Sequence, residues 1–352
     1  MMNANEILRR WSLGEKPTAE DCQTLLAAEL EDSQRAKAFE INAEIGLKKI
    51  EVRSRLFENI YPALAPYCPG FAIDSPQTLK TLWTLWLPLA LQLQTWREAQ
   101  SQPLILGILG VQGTGKSTLA GILSFILAQL GYPTLNLSLD DLYKTYAERQ
   151  QLQQQDPRLI WRGPPGTHDV QLGIELLDRI HRREFPLSLP RFDKSLHNGV
   201  GDRIAPETAA TAEILLFEGW FVGAQPIDDK AFENPPAPIV TAGDRDFART
   251  CNQRLAAYLP LWQRCDRLLV LYPLDYRWSL DWRKEAEQKM KASGKAGMSD
   301  AEIEQFVRYF WRSLHPELFV TPLLQKPVSV DFAIAVNRDR TTGSIYCPET
   351  RC

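Results

Sequence analysis

A chain of 352 residues, 44% of them hydrophobic, has room for an α/β core with an appended piece. Its net charge of −3 and pI near 5.9 provide no overall electrostatic drive toward nucleic acid or an anionic membrane. The expected partner is a small molecule, with no nucleic acid and no membrane, and protein partners leave no trace in the composition.

Cys22, Cys68, Cys251, Cys265, Cys347 and Cys352 are scattered, without a C-x-x-C pair or zinc-like spacing. They read as reduced thiols of an intracellular protein. Glu6, Glu15, Glu20 and Asp21 stand where a secretory or transit segment needs apolar or basic residues, so none is read. The richest apolar stretch, Leu79 to Leu93, is interrupted by Lys80, Thr81, Thr84, Pro88 and Gln92 and falls short of the ~20 apolar residues of a membrane span. A cytoplasmic location is expected.

Residues 1–100 read as a helical extension without identifiable chemistry. Thr18 followed by Asp21 forms a helix start, and Leu25, Leu26, Leu30, Phe39, Ile45 and Ile50 make a broken apolar stripe. Pro62, Pro66, Pro69 and Pro76 punctuate the chain before an amphipathic stretch carrying Trp83, Trp86, Leu87 and Leu91. Such an aromatic stripe is read as packing.

Behind Pro103, the residues Leu104, Ile105, Leu106, Ile108 and Leu109 have the composition of a buried parallel strand. Gly110 to Ser117 then reads G-V-Q-G-T-G-K-S, two glycines spaced to let backbone N–H groups approach a polyphosphate, then Lys and a hydroxyl residue. Leu119, Ile122, Leu123, Ile126, Leu127 and Leu130 follow at helical spacing until Gly131 and Pro133. A loop between strand and helix adds the helix dipole to the cradle. Gly110, Gly113, Thr114, Gly115, Lys116, Ser117 and Thr118 are the candidate nucleotide contacts. Lys116 is expected on the β and γ phosphates and Ser117 on Mg²⁺.

Thr134 to Leu139 alternates as a second strand, parallel to the first by the strand–helix–strand order, and ends in Asp140-Asp141. Ligands of such sheets bind beyond the carboxyl ends of strands, so Asp140 is the candidate general base for a substrate hydroxyl. Asp141 fits a cap better. Gln150 to Gln155 reads as a polar connection.

Residues 162–203 are dense in polar groups and show few helix or strand signals: Arg162, His168, Asp169, Arg191, Asp193, Lys194, His197 and Arg203 are the candidate substrate contacts. The cations Arg162, Arg191, Lys194 and Arg203 suit a substrate carboxylate or phosphates, with no way to choose among them. Ile214 to Phe217 is a third strand ending in Glu218, placed to orient Mg²⁺ and, with Lys116 and Asp140, assigned to catalysis. A helix capped near Asp244 precedes a fourth strand, Leu268 to Tyr272, and Phe332 to Val336 is read as a last one. Between these, Tyr276 begins a charged helix running to Gly294 and Gly297, and Ser299 with Glu302 starts another. Arg277, Arg283 and Lys284 are expected to close over the phosphates as a lid around residues 275–300.

Together these pieces resemble the D-glycerate 3-kinase family, itself similar to uridine kinase, pantothenate kinase and phosphoribulokinase. The loop at 110–117, S-L-D-D-L-Y at 138–143 and L-F-E-G-W at 216–220 belong to the wider group. R-G-P-P-G-T-H-D at 162–169 and G-D-R at 201–203 add to the resemblance, and G-T-H-D at 166–169, P-R-F-D-K-S at 190–195 and G-M-S-D at 297–300 point to glycerate kinases in particular. The resemblance covers roughly residues 103–315 and implies an α/β fold of the P-loop NTP hydrolase type, a three-layer sandwich on a mainly parallel sheet, in a domain read over residues 101–352. It also implies ATP and Mg²⁺ as cofactors and transfer of the γ-phosphoryl to the 3-hydroxyl of D-glycerate, as in salvage of photorespiratory glycerate. A kinase for pantothenate or a nucleoside, or a non-catalytic nucleotide-binding regulatory module, are the other readings. No Asn-Lys-x-Asp guanine-reading sequence is present, the nearest being Asn337-Arg338-Asp339.

Overall fold

The computed structural model describes residues 3–67, 73–292, 297–325 and 330–348. Cys68, Pro69, Gly294 and Cys352 lie outside the described residues. Helices α1 Ala4–Ser12, α2 Ala19–Glu31, α3 Ser33–Ala38, α4 Gly46–Tyr67, α5 Pro76–Thr81 and α6 Leu87–Glu98 come first. Strand β1 Leu104–Gly110, helix α7 Lys116–Gln129, β2 Thr134–Ser138, α8 Tyr146–Gln155 and α9 Val170–His181 follow. Then come β3 Leu187–Asp193, β4 Asp202–Ala209, β5 Ile214–Gly219, α10 Ala242–Leu255, α11 Leu259–Trp262 and β6 Arg267–Pro273. The chain continues through α12 Trp278–Ala292, α13 Asp300–Ser313, α14 Pro316–Phe319, α15 Thr321–Gln325, β7 Phe332–Val336 and β8 Thr342–Tyr346.

Six strands form one sheet in the order β2-β5-β1-β6-β7-β8, all neighbours parallel except the antiparallel β7–β8 pair. Every residue of β1 is buried, because both faces of the sheet are covered. The period of two sorts its side chains. Leu104, Leu106 and Ile108, with Ile214, Leu216, Leu269 and Leu271, join a cluster containing α7 and the N-terminal helices. Ile105 and Leu109, with Leu215, Phe217, Leu268 and Val270, join the opposite cluster with residues of α9, α10 and α13. The result is a three-layer α/β sandwich.

The expected helical extension thus shares its core with the sheet: Trp11, Phe57, Trp83 and Trp86 lie in the same cluster as Leu106 and Phe332. Its polar interior is paired, Arg53 donating to Glu29 at 3.0 Å and lying over the Trp83 ring, and Arg35 closing on the same Glu29 at 2.9 Å. Thr18 and Asp21 form the capping box of α2, as Ser299 and Glu302 do for α13.

Two expectations are corrected. Gln150–Gln155 is the second half of α8, started by a Thr145–Glu148 capping box. Arg149 is its one buried residue, so the sequence carries no apolar stripe. Residues 162–203 hold a full helix, α9, whose Gly173, Leu176, Leu177 and Ile180 are buried in sequence surroundings dominated by charge. The antiparallel β3–β4 hairpin begins in the same segment and runs on to Ala209; its β4 residues Ile204–Thr208 are exposed and β3 alternates only over Leu187, Ser188 and Leu189, so the periodic signal is weak.

Among the described residues, no helix is long and apolar enough to cross a membrane.

Candidate active site

The buried β1 delivers the chain to a turn that only glycine backbones make without strain. Gly115 caps α7 at φ +86°, and Gly113, also at φ +86°, faces Trp282 of α12 so closely that a Cβ would stand 2.7 Å from the Trp282 Cβ. Thr114 Oγ1 donates to the Val111 carbonyl at 2.8 Å and holds the turn. The N–H groups that open a helix lack intrahelical partners, and here they open on the carboxyl edge of the sheet.

Lys116 and Ser117 lead that helix. The Lys116 ammonium donates to the Val111 carbonyl at 3.4 Å and lies 3.9 Å from Glu218 Oε2. Burial lowers its pKa, with Glu218 and Asp140 pulling the other way. Ser117 Oγ donates to Glu218 Oε1 at 2.5 Å. Glu218 arrives there because β5 lies between β1 and β2 in the sheet, in register with Ile108 and Ser138. Ser117 and Glu218 offer oxygen donors alone, the set a hard divalent cation such as Mg²⁺ prefers. Thr118, on the same turn, is exposed.

Where β2 ends, Leu139–Leu142 forms a single 3₁₀ turn that divides the two aspartates. Asp141 closes a capping box, accepting from the Ser138 N–H at 3.0 Å, and burial raises its pKa. Asp140 instead meets the Lys194 ammonium at 2.6 Å and the Tyr143 hydroxyl. Burial pushes the Asp140 carboxyl up, but the Lys194 charge and these hydrogen bonds outweigh it and hold the pKa below the usual carboxylate value. Burial and Asp140 together raise the Tyr143 phenol well above its ordinary range.

The segment after this turn pairs with the G-T-H-D block. Tyr143 and His168 form a β-bridge, Lys144 N–H donates to the Thr167 carbonyl at 3.0 Å, and their rings stack at 4.6 Å. His168 Nδ1 lies 2.8 Å from the Tyr258 hydroxyl, while its Nε2 is buried without a partner among the described residues. Burial pushes the His168 pKa down to about 3.

The other predicted contacts divide sharply. Arg191 forks onto Glu207 at 2.9 and 2.7 Å and reaches Asp141 at 3.2 Å. Arg203 donates to the Tyr143 carbonyl at 2.8 Å and to Asp169 at 3.1 Å. Asp169 is itself the N-cap of α9. Arg162 donates to the carbonyls of Gly199 and Val200 at 2.6 and 2.9 Å. Asp193 accepts from the Ser195 backbone and hydroxyl, and His197 stacks on Tyr146 at 4.0 Å beside Asp202. These groups fasten the hairpin and α9 to the sheet edge.

The expected lid arginines are engaged elsewhere. Arg277 is exposed and paired with Asp275 at 2.7 Å. Arg283 sits one helical turn before the buried Glu287 and pairs with it at 2.8 Å, its guanidinium over Phe306. The α12 residue that touches the phosphate loop is Trp282, whose Nε1 donates to the Arg338 carbonyl at 2.8 Å. Sequence reasoning assigned no role to Trp282 or Tyr143. The nearest signal was the position of Tyr143, three residues past Asp140.

No family model matches the chain. A chloroplastic D-glycerate 3-kinase of Arabidopsis thaliana is 32% identical over 231 residues, 62% of this chain and 49% of that protein, so the match spans about half of that relative. The uncharacterized kinase mug58 of Schizosaccharomyces pombe is 33% identical over 220 residues, 60% of this chain and 79% of that one. Among solved structures, the D-glycerate 3-kinase of Cryptococcus neoformans var. grubii superposes with a TM-score of 0.66 at 28% identity, over 73% of this chain and 96% of that one.

Proposed function

Because the chain belongs to the P-loop kinase family that includes the D-glycerate 3-kinases, we propose that it transfers the γ-phosphoryl of ATP to the 3-hydroxyl of D-glycerate, giving 3-phosphoglycerate and ADP. The observation that carries this reading is the meeting of three parts at one sheet edge. These are the glycine loop with Lys116, the Ser117–Glu218 oxygen pair, and a strand-end carboxylate, Asp140, joined to a cation. A hydrolytic switch has no need of the third part, since water asks for no cationic acceptor site.

In this mechanism the loop N–H groups and Lys116 hold the phosphates and stabilise charge on the group in transit. Mg²⁺, held through Ser117 and Glu218, supplies neutralisation of the phosphate charge when bound. Asp140 takes the proton from the acceptor hydroxyl as its oxygen attacks in line. A carboxylate held below its usual pKa is ionised at neutral pH, as a base must be. The cations at the hairpin suit the acceptor carboxylate. Uridine offers no such anion, whereas pantothenate does, so substrate choice is a direct test.

The test is Mg·ATP-dependent ADP release with D-glycerate, L-glycerate, pantothenate and uridine offered separately, the product identified by NMR. The expected product is 3-phosphoglycerate from D-glycerate. ADP release that ignores the acceptor, or that follows pantothenate or uridine instead, overturns the reading.

A further inference from the structure

Four cations surround the proposed acceptor side, and the structure separates one from the other three. Arg162, Arg191 and Arg203 are each spent on protein groups that build the hairpin or fix its position: two backbone carbonyls, the Glu207 and Asp141 carboxylates, and a carbonyl with a helix cap. Lys194 has its charge on Asp140, the proposed base, at 2.6 Å, from a side chain that is 59% exposed.

The backbone beneath Lys194 is fixed independently of that side chain. Asp193 binds the Ser195 N–H and hydroxyl at 2.8 and 2.6 Å, His197 stacks on Tyr146, and Arg149 donates to the Val200 carbonyl at 2.9 Å and to that of Gly201. A lysine on such a mount has three rotatable donors on a flexible stem, and it can change carboxylate partners without moving the chain. Asp140 has a second partner besides Lys194, the Tyr143 hydroxyl.

We infer that Lys194 is the residue that reads the acceptor's anionic group, exchanging Asp140 for the acceptor carboxylate on binding, so that the base is freed by an acceptor that carries such a group. The exchange replaces one ammonium–carboxylate pair with another, so it discriminates mainly against uncharged alcohols, which leave Asp140 paired with Lys194. The inference rests on the kinase reading above and adds to it a specificity gate, with the carboxylate and the hydroxyl of one small molecule acting on Lys194 and Asp140 in turn.

The test compares D-glycerate with glycerol, which keeps the hydroxyls and lacks the carboxylate, in the wild type and in Lys194→Met and Lys194→Arg. Lys194→Met is expected to raise KM for D-glycerate about 10- to 100-fold, the scale of one lost charge-assisted hydrogen bond. It should leave KM for Mg·ATP within about twofold and collapse the preference for D-glycerate over glycerol. Lys194→Arg should recover most of that preference. A Lys194→Met enzyme with the wild-type preference, or with KM raised equally for nucleotide and acceptor, overturns the inference.

If the wild type turns over neither compound, the kinase reading for glycerate has failed, and the pair is still testable in the protein alone. The ¹³C resonance of the Asp140 carboxyl must then titrate at higher pH in Lys194→Met than in the wild type, and an unmoved curve shows that Lys194 does not hold Asp140.

Discussion

The phosphate loop and the β3–β4 hairpin stand at the same edge of the sheet and are built on opposite principles. The loop is made of backbone: it issues from a strand buried along its whole length, and Gly113 and Gly110 are pressed against Trp282 and Thr114. The hairpin is made of side-chain charge. Its outer strand is exposed, and it is tied down through Arg149, Arg162, Arg191 and Arg203. Backbone N–H groups recognise any polyphosphate, and packing keeps them in place whatever the acceptor. On the reading proposed above, the exchangeable Lys194 on this ribbon lets the acceptor site adjust while the nucleotide site does not. Under the proposed function the difference is a division of labour, rigid geometry for the phosphoryl donor and an adjustable charge for the acceptor.

The division is tested most strongly at its two chemical ends. Replacing Lys116 by Ala should reduce turnover by about 10³- to 10⁵-fold, the range for a cation that stabilises a phosphoryl group in transit, in a protein that still folds. Single-turnover assays alongside circular dichroism measure both; turnover within tenfold of wild type removes Lys116 from the chemistry. Asp140→Asn should lower kcat about 10²- to 10⁴-fold while nucleotide affinity, read by calorimetry, stays put. A parallel loss of nucleotide binding places Asp140 on the donor side and breaks the division there.

The contrast in construction predicts different costs for the same substitution. Gly113→Ala puts a left-handed backbone and a 2.7 Å clash with Trp282 into a packed loop, and should destabilise the fold by about 2–4 kcal/mol. Gly199→Ala at the hairpin tip has the same handedness, φ +89°, with open space around it, and should cost about 1–2 kcal/mol. Equal losses in urea unfolding would mean that the loop is no more tightly packed than the hairpin.

The smallest effect concerns pH. Burial pushes the pKa of His168 down to about 3 and that of His315 down to about 4, from 6.5. Below about pH 6.5 the unfolded chain therefore binds more protons than the folded one, so stability is full above that pH and is lost as pH falls toward the folded values. Each buried histidine contributes a slope of at most about 1.4 kcal/mol per pH unit. His168→Gln should remove one of the two slopes, seen as a shallower loss of urea stability between about pH 6.5 and about pH 5. An unchanged slope would mean that His168 titrates normally and is open to water.

The elements most legible in the sequence are those whose burial is local and regular. β1 and α7 follow from a continuous apolar run and a helical stripe on either side of the glycines, and the Thr18 and Ser299 helix starts, with the one capped at Thr241 through Asp244, follow from cap chemistry that acts across three residues. The hairpin and α8 escaped because a largely exposed β4, a β3 that alternates over only three residues and a helix with one buried residue leave little periodic signal. The partner of Arg283 was hidden for another reason: Glu287 lies one turn beyond it, but only packing reveals that Glu287 is buried and needs that charge.

Sequence alone determined the phosphate loop, the strand-end acids and the parallel order that puts them on one edge, because these depend on residue type at fixed short spacing. Tertiary structure decided how the four cations differ. A sequence presents Arg162, Arg191, Lys194 and Arg203 as equal charges, and their partners lie on other elements: Gly199 and Val200 for the first, Glu207 and Asp141 for the second, Asp140 for Lys194, and Tyr143 with Asp169 for the last. Pairing of this kind is set by where the folded chain places each charge, which no local spacing encodes.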